Sequence, residues 1–198
     1  MPGEAAGSPL PLVACIIPRV TERAFLSLGS NINPEHNLPR AARELKSLGR
    51  LLAVSTVYQN PAVGPTPQPD YLNAAVLLET DLSPHALRVE LRRVEERLGR
   101  RRTSDKYAPR TIDLDIVLYG SMTVQGAGMT IPDPDLLVRP HVALPVAELD
   151  PGHRHPVSGE RLGAIAERLR PRATLTPRPD VTRQMLTAAG LAAGGTQP

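Results

Sequence analysis

Asp113 and Asp115 stand two residues apart in the run Thr111-Ile-Asp-Leu-Asp-Ile-Val-Leu-Tyr119. On an extended strand alternate side chains share a face. Both carboxylates therefore project together, while Ile112, Leu114, Ile116 and Leu118 line the other side. Two carboxylates side by side repel unless a cation lies between them. Oxygen donors without histidine or thiolate neighbours suit Mg²⁺, which is commonly held by one or two carboxylates and substrate phosphates. A D-x-D pair that faces solvent needs no such ion, and the residues ahead of it bear on which reading applies. Gly99-Arg-Arg-Arg102, Lys106 and Arg110 form a cationic loop leading into the pair. Arginine forks take phosphate oxygens bidentately and stay charged at any working pH. Cations beside an anionic pair are expected where Mg²⁺ and arginines share a polyphosphate. A solvated basic surface, or a loop contacting RNA, is the other reading of these charges. Glu95, just upstream, is placed to accept from a ribose or to pair with Arg92 or Arg102.

A second segment, Tyr58 to Asn73, combines rigid and polar features. Its prolines stiffen a loop, Gly64 permits a turn, and Tyr71 and Asn73 lie two apart and share a face. An aromatic ring beside an amide suits a flat, hydrogen-bonding heterocycle. A half-buried tyrosine and a turn-capping asparagine would look the same. No G-x-x-x-x-G-K-[ST] loop is present, so a bound nucleotide would be held by side chains and metal.

The elements that must position these residues follow from pattern. Ala24–Leu28 is a short apolar run stopped by Gly29-Ser30-Asn31, a strand ending in a turn. Leu38, Ala41, Ala42, Leu45 and Leu48 recur at helical spacing, and Gly49 closes them. Leu51–Gln59 reads as one strand, Asn60 to Asp70 as a loop, and Tyr71–Glu79 as a strand. Ser83-Pro84 opens a helix with the stripe Leu87, Leu91, Val94 and Leu98, ended by Gly99. The Arg100–Arg110 loop and the aspartate strand follow. Prolines punctuate Met129–Arg139, and Leu162, Ile165, Ala166 and Leu169 mark a last helix. The order β-α-β-β-α-β predicts an α+β fold, a ferredoxin-like α/β sandwich with an antiparallel sheet and appended elements. Residues 1–22 read as a weakly structured leader, 23–170 as a single catalytic domain, and 171–198 as a flexible tail.

Composition bounds the function. The 198 residues suffice for one domain. A net charge of +3 is too small to demand nucleic acid. Hydrophobic content of 41% supports a packed core, and a single cysteine, Cys15, excludes a disulfide scaffold. No run approaches the length of a membrane span, and Leu10–Ile17 lacks the basic flank of a signal peptide. The expected location is cytoplasmic. The 22 prolines and five aromatics are what GC-rich coding produces, so scarcity of aromatics carries no functional message by itself.

Taken together, the motifs resemble the 6-hydroxymethyl-7,8-dihydropterin pyrophosphokinase family of folate biosynthesis. The similar pieces are Leu28-Gly-Ser-Asn31, Pro61-x-x-Gly-Pro65, Gln68 with Asp70-Tyr-Leu-Asn-Ala-Ala75, Val94-Glu95 with Gly99-Arg100-x-Arg102, and Pro109-Arg-Thr-Ile-Asp-Leu-Asp115. Ile131-Pro132 and Arg139 continue a match spanning roughly 24–170. The resemblance implies transfer of pyrophosphate from ATP to a pterin hydroxymethyl group, releasing AMP. It implies that Asp113 and Asp115 hold two Mg²⁺ ions and that Arg100 and Arg110 stabilise charge on the transferring and leaving groups. Glu95, Arg102, Lys106, Arg110, Ile116, Thr130 and Arg139 would bind ATP. Asn60, Pro61, Val63, Gly64, Tyr71, Asn73 and His141 would take the pterin, with the loops Asn60–Asp70 and Arg100–Pro109 as lids. Pterin and ATP are the expected partners, with no nucleic acid, membrane or obligate protein partner.

Three positions depart from the family pattern. Asp133-Pro134 stands where His-Pro or His-Tyr is usual, His141 where phenylalanine often faces the pterin's tyrosine, and Tyr107 where tryptophan is often found. Two other readings of the chain are a ferredoxin-like RNA-binding module and a folded but inactive paralogue.

Overall fold

The computed structural model describes residues 21–62, 67–101, 105, 107–126 and 128–192. Its centre is strand β4 (Tyr71–Thr80), nearly all of it buried. Strand β1 (Glu22–Ser30) runs antiparallel along one edge of β4, and β5 (Asp113–Tyr119) runs antiparallel to β1. On the other edge lie β2 (Arg50–Val54) and β3 (Tyr58–Asn60). The single strand expected over Leu51–Gln59 is broken at 55–57. There the Ser55 hydroxyl accepts from the Ala75 amide at 2.8 Å, while the Thr56 amide turns to the Glu148 carboxylate at 2.7 Å. These backbone groups leave the ladder because side chains satisfy them instead.

Helices cover both faces of the sheet. On one face α1 (Pro34–Leu45) buries Leu38, Ala41, Ala42 and Leu45, the expected stripe at helical spacing. Beside it α2 (Pro84–Arg97) starts at Ser83, whose hydroxyl accepts from the Ala86 amide at 3.3 Å, with Pro84 in the first turn. Leu87, Leu91 and Val94 pack with Leu26, Leu28, Leu114 and Ile116 into one core. On the opposite face α3 (Pro140–Leu149) and α4 (Leu162–Leu169) pack against Phe25, Ala75, Leu77 and Val117. The molecule is thus an antiparallel α+β sandwich whose appended helices supply a third layer. None of the described helices is long and apolar enough to cross a membrane.

Two further expectations change. Residues 171–198, expected to be a flexible tail, contribute strand β8 (Thr176–Pro177), which pairs with β3, and helix α5 (Pro179–Ala189). Val181, Met185 and Ala189 are buried in the same core as α1 and α2, so the packed domain runs past residue 170. Leu118, expected on the face of Ile112, Leu114 and Ile116, lies instead with Val117 in the opposite core. The reason is a register shift: Ile116 pairs with Leu26 but Leu118 with Phe25, leaving Val117 bulged. A bulge reverses the alternation downstream and leaves the aspartate end undisturbed. A small hairpin, β6 (Val124–Gly126) with β7 (Met129–Ile131), and a 3₁₀ turn over Pro134–Leu137 complete the chain between β5 and α3.

Candidate active site

Sheet register assembles the site. Asp113, Gly29, Asn73 and Tyr58 stand in one row across β5, β1, β4 and β3, and Asn60 pairs with Tyr71 in the next. Residues in such a row present neighbouring side chains on one face. Tyr71 and Asn73 share that face, as their spacing requires. The Asn73 amide donates to Asn60 Oδ1 at 2.5 Å, which joins the two asparagines into one polar edge. Gly29 keeps the row open. A Cβ there would meet Asn73 Oδ1 at 3.0 Å and Tyr71 Cδ1 at 3.9 Å.

Asp113 is gripped from two sides. Arg100 and Arg110 each donate to one of its oxygens. Arg100 is itself fixed by Glu95 Oε1 at 2.5 Å and the Ile112 carbonyl at 3.1 Å. Glu95 is 1% exposed and also accepts from the Leu114 amide at 2.9 Å. It acts by locking Arg100 to β5, and it stands in the wall of neither cavity described below. Asn31, to which no role was assigned from sequence, bridges the two functional loops. Its carbonyl oxygen accepts from the Arg110 amide at 2.7 Å and its amide donates to Gln68 Oε1 at 3.1 Å. Gln68 in turn donates to the Tyr107 carbonyl at 2.5 Å. The only sequence signal was its place beside Gly29-Ser30.

Two cavities meet at the aspartates. One, of about 290 Å³, is lined by Asn60, Pro61, Tyr71, Asn73 and His141 together with Arg110, Asp113, Asp115, Asp133, Arg139 and Tyr107. The other, of about 230 Å³, is lined by Ile116, Thr130, Arg88 and Arg92, and again by Asp115 and Asp133. Arg88 and Arg92 were not singled out as ligand contacts, because on a helix rich in arginine their spacing marks nothing. Val63, Gly64, Arg102 and Lys106 lie outside the described residues. All three departures, Asp133, His141 and Tyr107, stand in the cavity walls.

The charges here differ in state. Burial alone would raise the Asp113 carboxyl, but the Arg100 hydrogen bond and the charges of Arg100 and Arg110 bring it below its ordinary value. Asp115 is exposed to solvent where the two cavities meet. Desolvation by the protein packed around the cleft, then the charges of Asp113, Asp133 and Glu95, push its carboxyl up to about 7. Burial likewise raises Asp133. His141 is held below the usual histidine value by burial and by Arg139, so its ring is neutral at neutral pH. The donor set fits a hard divalent cation: carboxylate oxygens only, with the crowded Asp115 left wanting positive charge. Among the described residues no cluster of three or more acidic, histidine or cysteine side chains is arranged to hold a metal. Remaining ligands would come from substrate phosphates and water.

A cavity with an aromatic wall and an amide edge, opening beside an aspartate pair flanked by arginines on an α+β sheet, is the layout of a small-molecule enzyme. A family model described as 7,8-dihydro-6-hydroxymethylpterin-pyrophosphokinase (HPPK) matches residues 25–151, and the chain belongs to that family. The 2-amino-4-hydroxy-6-hydroxymethyldihydropteridine pyrophosphokinase of Synechocystis sp. is 36% identical over 182 residues, 90% of this chain and 87% of the relative. Its counterpart from Haemophilus influenzae is 40% identical over 129 residues, 64% of this chain and 80% of the relative. In fold the chain is similar to Plasmodium falciparum HPPK-DHPS, with a TM-score of 0.63 at 13% identity. That likeness covers 77% of this chain and 45% of the longer one.

Proposed function

We propose that the cavity of Tyr71, Asn73 and His141 takes the pterin, and that of Ile116 and Thr130 the nucleotide, of the family's reaction. That reaction is ATP-dependent pyrophosphoryl transfer to 6-hydroxymethyl-7,8-dihydropterin in folate biosynthesis. One observation carries the assignment: the two cavities share Asp115 and Asp133 as a common wall, where two bound substrates would meet. The Asn60–Asn73 edge offers donors and acceptors to a heterocycle, and Tyr71 supplies a flat apolar face.

In the transfer, the hydroxymethyl oxygen forms a bond to the β-phosphorus and loses its proton. The bond from that phosphorus to the oxygen bridging α and β breaks, and AMP leaves. Arg110, on the cavity wall, stabilises negative charge on the transferring group. Arg100 donates to Asp113 and sets its orientation, while Arg139, expected at ATP, lines the pterin cavity and not the nucleotide one. Mg²⁺, two ions by resemblance, would be held by Asp113 and Asp115, neutralise the triphosphate and favour in-line attack. The protein works on pterin and ATP in the cytoplasm, with no obligate protein partner.

Asp113→Asn and Asp115→Asn should each lower pterin-dependent AMP release by about a hundredfold or more. Mg²⁺ titration of the wild type should show an absolute requirement. Near-normal turnover in either variant, with unchanged melting, rejects the carboxylate assignment.

A further inference from the structure

The chain beyond α4 returns to the back of the pterin edge. β8 pairs with β3, Gln59 with Thr176 and Tyr58 with Pro177. The Arg178 amide donates to the Val57 carbonyl at 2.8 Å, and the Val57 amide donates to the Thr182 hydroxyl at 2.9 Å. Arg178 then reaches along the strand. Its Nη1 donates to Gln59 Oε1 at 3.2 Å, and the Gln59 amide donates to Asp70 Oδ2 at 2.8 Å. Gln59 and Asp70 immediately precede Asn60 and Tyr71, which pair with each other across β3 and β4. Arg178 is itself anchored by Asp180 at 2.8 Å and Glu35 at 3.4 Å, and behind it α5 is buried through Val181 and Met185. β3 has three residues and lies between β4 and the two-residue β8. A strand this short is weakly held by its own ladder.

We propose that Arg178 is a positioning residue for the pterin cavity: through Gln59 and Asp70 it holds the β3–β4 edge that carries Asn60, Tyr71 and Asn73. The inference rests on the pterin assignment above. The match to the family model ends at residue 151, so Arg178 and Asp180 lie outside it while Gln59 and Asp70 lie within. The guanidinium fork matters because one planar group must meet the Gln59 carbonyl and two carboxylates together. Gln59 then has one amide orientation, oxygen toward the cation and nitrogen toward Asp70, and the strand cannot slide without breaking both contacts. The network lines neither cavity; its chain neighbours Asn60 and Tyr71 line the pterin cavity, whereas nothing adjoining it lines the nucleotide cavity, so the effect is confined to one substrate.

The test uses full-length protein with Arg178→Ala, Arg178→Lys, Gln59→Ala, Asn73→Ala and, as an exposed control on α5, Arg183→Ala. Arg178→Ala and Gln59→Ala should each raise the KM for the hydroxymethyl pterin about tenfold, with KM for ATP and kcat within about twofold. Gln59→Ala leaves the Arg178 ion pairs intact and so separates positioning from loss of stability. Arg178→Lys should recover part of the pterin KM, and Arg183→Ala should match wild type. Equal losses in both KM values, or no change in either variant, would overturn the brace. If Asn73→Ala raises the pterin KM but Arg178→Ala does not, only the brace fails. If Asn73→Ala is also without effect, the pterin assignment itself is wrong and the brace goes with it.

Discussion

Asp113 is held by two guanidinium groups, while Asp115, two residues on, has three neighbouring carboxylates raising it. The difference divides their work. Asp113 stays ionised and fixed, and Asp115 is the side of the pair where a cation relieves most repulsion. Their common face was legible from the D-x-D spacing. The division between them was not, because it depends on Arg100 being locked by Glu95 nineteen positions upstream of the Leu114 amide it also binds. At His141 the sequence showed only that an imidazole replaces an expected phenyl ring. Burial then keeps it neutral, which preserves an uncharged flat surface in the cavity that Tyr71 also lines. This has a sign in pH. Below about 6.5 the unfolded chain takes up a proton at His141 that the folded protein resists until lower pH. The stability contributed is complete above that value and is lost as pH falls through the folded pKa. Urea unfolding at about pH 5 and about pH 7.5 should show the wild type losing more stability on acidification than His141→Phe. Equal losses would mean the ring titrates as it does in the unfolded chain.

Elements were legible in proportion to how one-sided their patterns are. α1 and α2 carry stripes at helical spacing with polar opposite faces, and the sequence placed both. α3 is apolar nearly all round, burying Val142 through Ala147, so no stripe marks it. α5 fails in the other direction. Its buried positions, Val181, Met185 and Ala189, are a thin line four residues apart in a polar and small-residue segment that reads as tail. What decides its helix is tertiary packing on α1 rather than propensity. Met185→Ala should therefore cost about 2–5 kcal/mol by denaturant titration, as for a core methionine. A loss well under 1 kcal/mol, the scale of a surface change, would return residues 179–189 to the tail the sequence suggested. The bulge at Val117 shows a different limit. Alternation predicts faces only while register holds, and nothing in Ile-Val-Leu announces the slip.

At the scale of the molecule, helices on both sides of the sheet tell against a sheet-based RNA-binding reading. An RNA-binding sheet needs an exposed face for stacking bases. Here α1, α2 and α5 occupy one face, and α3 and α4 pack on the other. What remains open is a cleft at the Asp113 end of β5, where two cavities meet over shared carboxylates and the arginine loop arrives from α2. In the proposed reading that layout would separate a heterocycle from a nucleotide and bring their reactive ends together. In the proposed transfer a two-phosphate unit crosses between them. ATP labelled at the β-phosphate, incubated with Mg²⁺ and the hydroxymethyl pterin, tests it most directly. Label should appear on the pterin in step with unlabelled AMP, and neither should form when pterin is withheld. Labelled ADP, with no label on the pterin, would contradict it.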